Sequence, residues 1–173
     1  MVKQWLLMPD ANSLMNLAIF LDAHAVCGDV HLLQDAQLVL QRLATDNDAM
    51  LARFAASIDA FGNSQGWWNR LLGLDDQQGL HLKKEGIFPL VHGVRSLALA
   101  EHLQETSTTA RIETLVARNV ITPALGADLT QSLHFLMGLK LKAGVTEMET
   151  QREVSGLVNV GKLSTLERDL LKD

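Results

Sequence analysis

The chain has 173 residues, 47% of them hydrophobic, and a formal net charge of −5, a size and composition that allow one substantial buried core. Its lysines and arginines are scattered and form no basic stripe of the kind that neutralises phosphates along a duplex, so nucleic acid is not an expected partner. The longest apolar stretch, Leu14 to Leu21, is broken by Asn16 and falls short of the about 20 residues needed to cross a bilayer, and the single Cys27 allows no intrachain disulfide, which points to a reducing cytoplasm.

Three prolines, at 9, 89 and 123, each stand where a helix could start. Apolar residues recur at helical spacing nearly everywhere, which predicts an all-α fold. The first helix starts after Pro9-Asp10 or Asn12-Ser13, carries Leu14, Leu17, Ala18 and Leu21 as a stripe, and yields at Gly28. The second runs from about Val30 to Ala44 and is expected to bury Leu32, Ala36, Val39, Leu40 and Leu43. Asp46 or Asn47 caps the third, whose Leu51, Phe54, Ala55, Ile58 and Phe61 share a face before Gly62-Asn63 ends it. Ser64 to Gly79, with Trp67 and Trp68, is the main interruption. A fourth helix is expected from about Pro89 to Leu103, a fifth from a cap within Thr106 to Thr108 to Arg118, and a sixth from the Thr122 cap through Lys142. Ser164 and Glu167 form a capping box for a last short helix with Leu166, Leu170 and Leu171. The expected architecture is a multi-helix bundle of about six to eight helices in a single domain over 1–173.

Two segments insert charge and glycine into helical sequence. Leu21 to Asp29 holds Asp22, His24, Gly28 and Asp29; Leu80 to Arg95 holds Lys83, Lys84 and Gly86. Gly28-Asp29 reads as a helix stop followed by an N-cap acid, which leaves Asp22 and His24 unexplained. Lys83 and Lys84 read either as solvated charge or as cations beside a helix N-terminus that could receive a phosphate. Trp67 and Trp68 point about 100° apart on a helix, so one is expected in the core, and the other reads either as a contact for a partner domain or as the anchor of its loop on the bundle.

Metal and covalent chemistry find little support. The six histidines show no paired HExxH-type spacing and no cysteine partner. Asp46-Asn-Asp48 fits a helix cap and first-turn acid, and Cys27 reads as a small buried residue, because no oriented base or anion hole is specified nearby. No catalytic residue and no metal ligand is expected.

The order of features carries a resemblance. Trp5 before Pro9-Asp10 and the run Asn16 to Asp29 resemble an apolar helix followed by Asp-x-Arg and Gly-Asp. Phe61 to Leu72 with Trp67 resembles an aromatic loop, and Leu82-Lys83-Lys84-Glu-Gly86-Ile-Phe-Pro89-Leu-Val resembles Leu-Lys-x-x-Gly-Ile-x-Pro-Ile-Val. Thr108 to Leu141 is similar to the helices that follow in the same family. That family is the nucleotidyltransferase substrate-binding domain at the C-terminus of bacterial signal-transduction proteins with CBS and cyclic-nucleotide-binding domains. It is similar to the accessory helical domain of PII uridylyltransferase and glutamine synthetase adenylyltransferase. His24 stands where an arginine is usual and Lys140 stands in an Arg-Leu position, which alters any contact made through an arginine fork.

The resemblance implies a non-catalytic, regulatory domain that closes over nucleotide and target held by a separate catalytic domain, in cis or in trans. Asp22, His24, Gly28, Asp29, Lys83, Lys84 and Gly86 would face that cleft, and Trp67, Trp68, Arg95 and Lys140 would meet the other domain. The two turns would lie side by side, with Asp22 and Asp29 pairing with Lys83 or Lys84. Magnesium and a nucleoside triphosphate belong to the catalytic domain, because this chain lacks the Gly-Ser turn and the paired carboxylates that hold them. The chain alone would be no enzyme, the parent protein a nucleotidyltransferase. A protein target is a possible partner. The alternative is a free-standing helical protein-protein interaction domain.

Overall fold

A computed structural model describes residues 11–45, 48–60 and 79–171. The fold is all-α. Among the described residues there are seven α-helices, α1 (Ala11–Phe20), α2 (Val30–Thr45), α3 (Asp48–Ala56), α4 (Phe88–Ala100), α5 (Thr108–Ala117), α6 (Pro123–Glu149) and α7 (Thr165–Leu170). Short 3-10 turns span Ser57–Ala60 and Val160–Lys162, and a π-helical turn spans Lys83–Ile87. The only β pairing among the described residues is an isolated antiparallel bridge between Leu80 and Val158, closed by hydrogen bonds of 2.8 and 2.9 Å.

The chain divides into two compact units, residues 1–60 with 91–130, and residues 61–90 with 131–173. In the first, Leu14, Leu17 and Ala18 of α1, Leu40 of α2, Met50 and Phe54 of α3 and Leu99 of α4 form the core. In the second, Leu80, Leu82, Leu136, Leu139, Val158, Leu163 and Leu171 do so. The first core is a set of helical stripes turned inward, whereas the second takes Leu136 and Leu139 from α6 and its other members from outside the seven α-helices.

Local sequence chemistry accounts for the helix ends. Asp29 Oδ1 accepts from the backbone N–H of His31 at 2.9 Å, capping α2 behind Gly28, whose φ of +88° suits a residue without Cβ. Ser107 is the N-cap residue of α5. Thr122 Oγ1 accepts from Leu125 N–H at 3.2 Å at the start of α6, with Pro123 in its first position. Ser164 and Glu167 form the complete capping box of α7. Asp48 supplies the acid in the first turn of α3; Asp46, Asn47, Phe61, Gly62, Asn63 and the cap candidates Pro9 and Asp10 lie outside the described residues.

Several expectations are corrected. Of the five residues expected in the core from α2, Leu40 is fully buried and Ala36 half-buried, whereas Leu32, Val39 and Leu43 are exposed. The inward face instead takes the polar Gln41, which is buried. Cys27 is exposed, because it sits in the loop after α1, where His24 to Asp29 are all exposed. Helix α6 continues past Gly144 to Glu149, seven residues beyond Lys142; one glycine costs a helix only about 1 kcal/mol. On α7, Leu166 and Leu170 are exposed, and Leu171 just after it is buried.

Candidate functional site

In the first unit three charged side chains, Asp22, Arg95 and Arg111, come together. Arg95 lies on α4, five residues before its end, and Arg111 on the first turn of α5. Each shares a helix face with core leucines, Arg95 with Leu99 and Arg111 with Leu115, so packing draws both guanidiniums inward. Their side chains are 10% and 3% exposed, against 32% for Asp22. Asp22 follows α1 and turns its carboxylate onto both. Arg95 donates through Nη2 to Oδ2 and through Nε to Oδ1 at 3.3 Å. Arg111 Nη1 lies 2.7 Å from the same Oδ1.

Arg111 does more than pair. Its Nε donates to the Glu105 carbonyl at 2.6 Å and its Nη2 to the Leu21 carbonyl at 3.2 Å, so one side chain ties the loop after α1 to the loop before α5. Two glutamines of α2 hold the same loops. Gln37 donates to the Ala23 carbonyl at 3.1 Å, and Gln41 donates to the Leu103 carbonyl at 3.3 Å while accepting from Gln104 at 2.7 Å. Backbone carbonyls in such places need partners, and here they have them.

The electrostatics are unbalanced. Two guanidinium cations meet one carboxylate, leaving an excess of one positive charge in a largely buried setting. Glu105 does not cancel it. Its carboxylate accepts from Thr114 Oγ1 at 2.7 Å, which holds its carboxyl below the usual range with further help from its own backbone and Arg118. Beside the cluster is a crevice of about 20 Å³ lined by Leu21, Gln37, Gln41, Arg95, Gln104 and Arg111 among others, room for about one water.

The second unit contains the lysine segment. Lys83 and Lys84 are exposed in the π-helical turn. That turn runs into α4 without a break, with Phe88 N–H bonded to the Lys83 carbonyl, so Pro89 does not open a fresh helix N-terminus beside the lysines. Gly86 is half-buried; a Cβ there would stand 3.1 Å from Leu136 Cδ1. Lys140 is half-buried on α6. A cavity of about 180 Å³ lies between α6 and the 157–163 segment, lined by Leu139, Lys142, Thr146, Glu147, Asn159 and Lys162 among others.

The sequence-predicted candidates are divided between the two units. Asp22 is taken up by Arg95 and Arg111, not by a lysine, and Asp29 by its capping bond. Arg95, expected at a domain contact, is a buried partner of Asp22. His24, Gly28 and Asp29 are exposed. Trp67 and Trp68 lie outside the described residues. Arg111 was not among the expected site residues; its signal was its helix position, four residues before Leu115 and next to Ile112, both buried. Among the described residues no group of three or more His, Cys, Asp or Glu gathers as a metal site, and no helix is long and apolar enough to cross a membrane.

The family model described as "Putative nucleotidyltransferase substrate binding domain" matches residues 48–173. The chain belongs to this family. The match to the substrate-binding-domain family takes in Arg95 and Arg111 and begins after Asp22, so the ion cluster joins a carboxylate ahead of the matched stretch to two arginines within it. No curated protein and no solved structure matches the chain.

Proposed function

We propose that the chain is a non-catalytic substrate-binding and regulatory module that works with a nucleotidyltransferase catalytic domain, in cis or in trans. The observation that supports this most is the family match over 48–173, which contains the buried arginine pair. In this reading the domain closes over a nucleotide and a target held by the catalytic domain, as in a PII uridylyltransferase-like protein of bacterial, cytoplasmic signal transduction. Magnesium and the nucleoside triphosphate sit with that domain, and this chain supplies shape and charge.

A second reading, a free-standing protein-interaction domain, draws on Leu32, Val39 and Leu43, which are 71%, 47% and 38% exposed and share one face of α2. One experiment separates them. The chain is titrated into the nucleotidyltransferase catalytic domain from the same genome, with and without magnesium and nucleoside triphosphate, and transfer of labelled nucleotide is followed alongside. The proposal expects a complex that nucleotide tightens, and no transfer by the chain alone. Absence of a complex, or labelled product made by the chain alone, refutes it; a complex indifferent to nucleotide favours the second reading.

A further inference from the structure

We propose that Arg95 and Arg111 form a receptor for a phosphate group, and that the Asp22 carboxylate is the resident anion holding the place when no ligand is bound. Charge comes first. Two side chains that are 10% and 3% exposed share one carboxylate, and an excess buried charge is costly until a further anion meets it. A phosphate carries between one and two negative charges near neutral pH and more acceptor oxygens than a carboxylate, so it can satisfy both guanidiniums.

Geometry agrees. Arg95 presents Nε and Nη2 side by side to the two oxygens of Asp22, the fork arrangement that serves carboxylate and phosphate alike. Asp22 is also the member of the cluster that solvent reaches, at 32% exposure. The loop around it does not depend on its side chain. The Leu21 carbonyl is held by Arg111 and the Ala23 carbonyl by Gln37, so the frame stays in place when the carboxylate gives way.

The inference deepens the reading above and rests on it for the source of the phosphate, a nucleotide; charge and fork geometry carry the oxyanion by themselves. The test uses this chain without any catalytic domain, so its failure and the failure of the complex are separate results. Thermal melts of the wild type, Asp22→Ala and Asp22→Ala with Arg95→Ala are recorded in orthophosphate, in a nucleoside monophosphate, and in sodium chloride of equal ionic strength. Asp22→Ala should melt lower in chloride and recover in phosphate, with an affinity on the order of tenfold tighter than the wild type once the competing carboxylate is gone. Loss of Arg95 should abolish the recovery. Equal recovery in both phosphates assigns the site to the phosphate group, and greater recovery in the nucleotide assigns it to the whole ligand. If Asp22→Ala does not fold, Asp22→Asn replaces it, and the Nε–Hε signals of Arg95 and Arg111 report binding in the wild type by NMR. Recovery no larger in phosphate than in chloride, or equal in the double variant, or Nε–Hε signals that phosphate leaves unmoved, overturns the proposal.

Discussion

Acidification from about pH 7.5 to about pH 5.5 should loosen the first unit through one side chain, His92. Its ring is 1% exposed, packs against Phe54 with centroids 4.7 Å apart, and places Nε2 2.6 Å from the Phe54 carbonyl and 3.0 Å from Ser57 Oγ. The carbonyl can only accept, so Nε2 carries the hydrogen. Burial pushes the imidazole below its ordinary value of 6.5; the Phe54 carbonyl opposes this and the charge of Arg95 adds to it. The folded protein therefore binds this proton less readily than the unfolded chain. The neutral ring's contribution is fully present above pH 6.5 and is lost as pH falls below it, until the folded value is reached. If His92 stays neutral in the folded protein throughout, the loss between pH 7.5 and 5.5 is about 1.4 kcal/mol, a fall in melting temperature of about 3–6 °C for a chain of this size. Glu105 and Glu167, the latter held down to about 2 by Lys142 and the Ser164 backbone, lose their contributions only at lower pH, outside this window. Thermal melts of the wild type and His92→Gln at both pH values isolate the effect, since Gln can still donate to the Phe54 carbonyl and does not titrate. The variant should be less stable at neutral pH and its profile flatter in acid. Parallel profiles would show that the buried ring does not set the acid response.

A Cβ at Gly126 would stand 2.5 Å from Val116 Cγ2, whereas one at Gly138 meets nothing within 4 Å; Gly126→Ala should therefore destabilise by about 1–3 kcal/mol and Gly138→Ala stabilise by up to about 1 kcal/mol. Denaturant melts showing the reverse order would contradict the packing described for α5 and α6. Ser164→Ala removes the hydroxyl that accepts from Glu167 N–H at 3.2 Å and should cost about 1 kcal/mol. The loss should show as faster amide exchange confined to α7, and unchanged exchange there would mean that packing of Leu171 alone holds the helix.

The helices were legible because their ends are written locally. Asp29, Thr122, Pro123, Ser164 and Glu167 each act within a few residues, and such signals need no knowledge of the rest of the chain. Facing was less legible on α2, where apolar residues lie on several sides and Gln41 turns inward for the sake of Leu103 and Gln104, more than sixty positions later. The candidate site was read in part. Asp22 stood out as a charge that helix punctuation could not explain, yet its partners were invisible, because arginine is ordinarily an exposed residue and nothing local to Arg95 or Arg111 says that a carboxylate waits 73 or 89 positions earlier. The π-helical turn at Lys83 escaped for the opposite reason, since Pro89 mimics the start of a new helix.

The tie from Arg111 to the Leu21 carbonyl spans 90 positions, and the first unit is assembled from residues 1–60 and 91–130, which gives this part of the protein a timetable. During synthesis at about 5–20 residues per second, α1, α2 and α3 are made seconds before the helices that complete their core. In that interval Leu14, Leu17 and Phe54 lack Leu99, and Asp22 lacks both of its cations. Closing so long a loop has to precede any return from the contacts it brings. Folding of the first unit is thus set to be late and all at once, and the arginine that completes the candidate site is also the residue whose arrival fastens the loop after α1 to the later-made half of that unit.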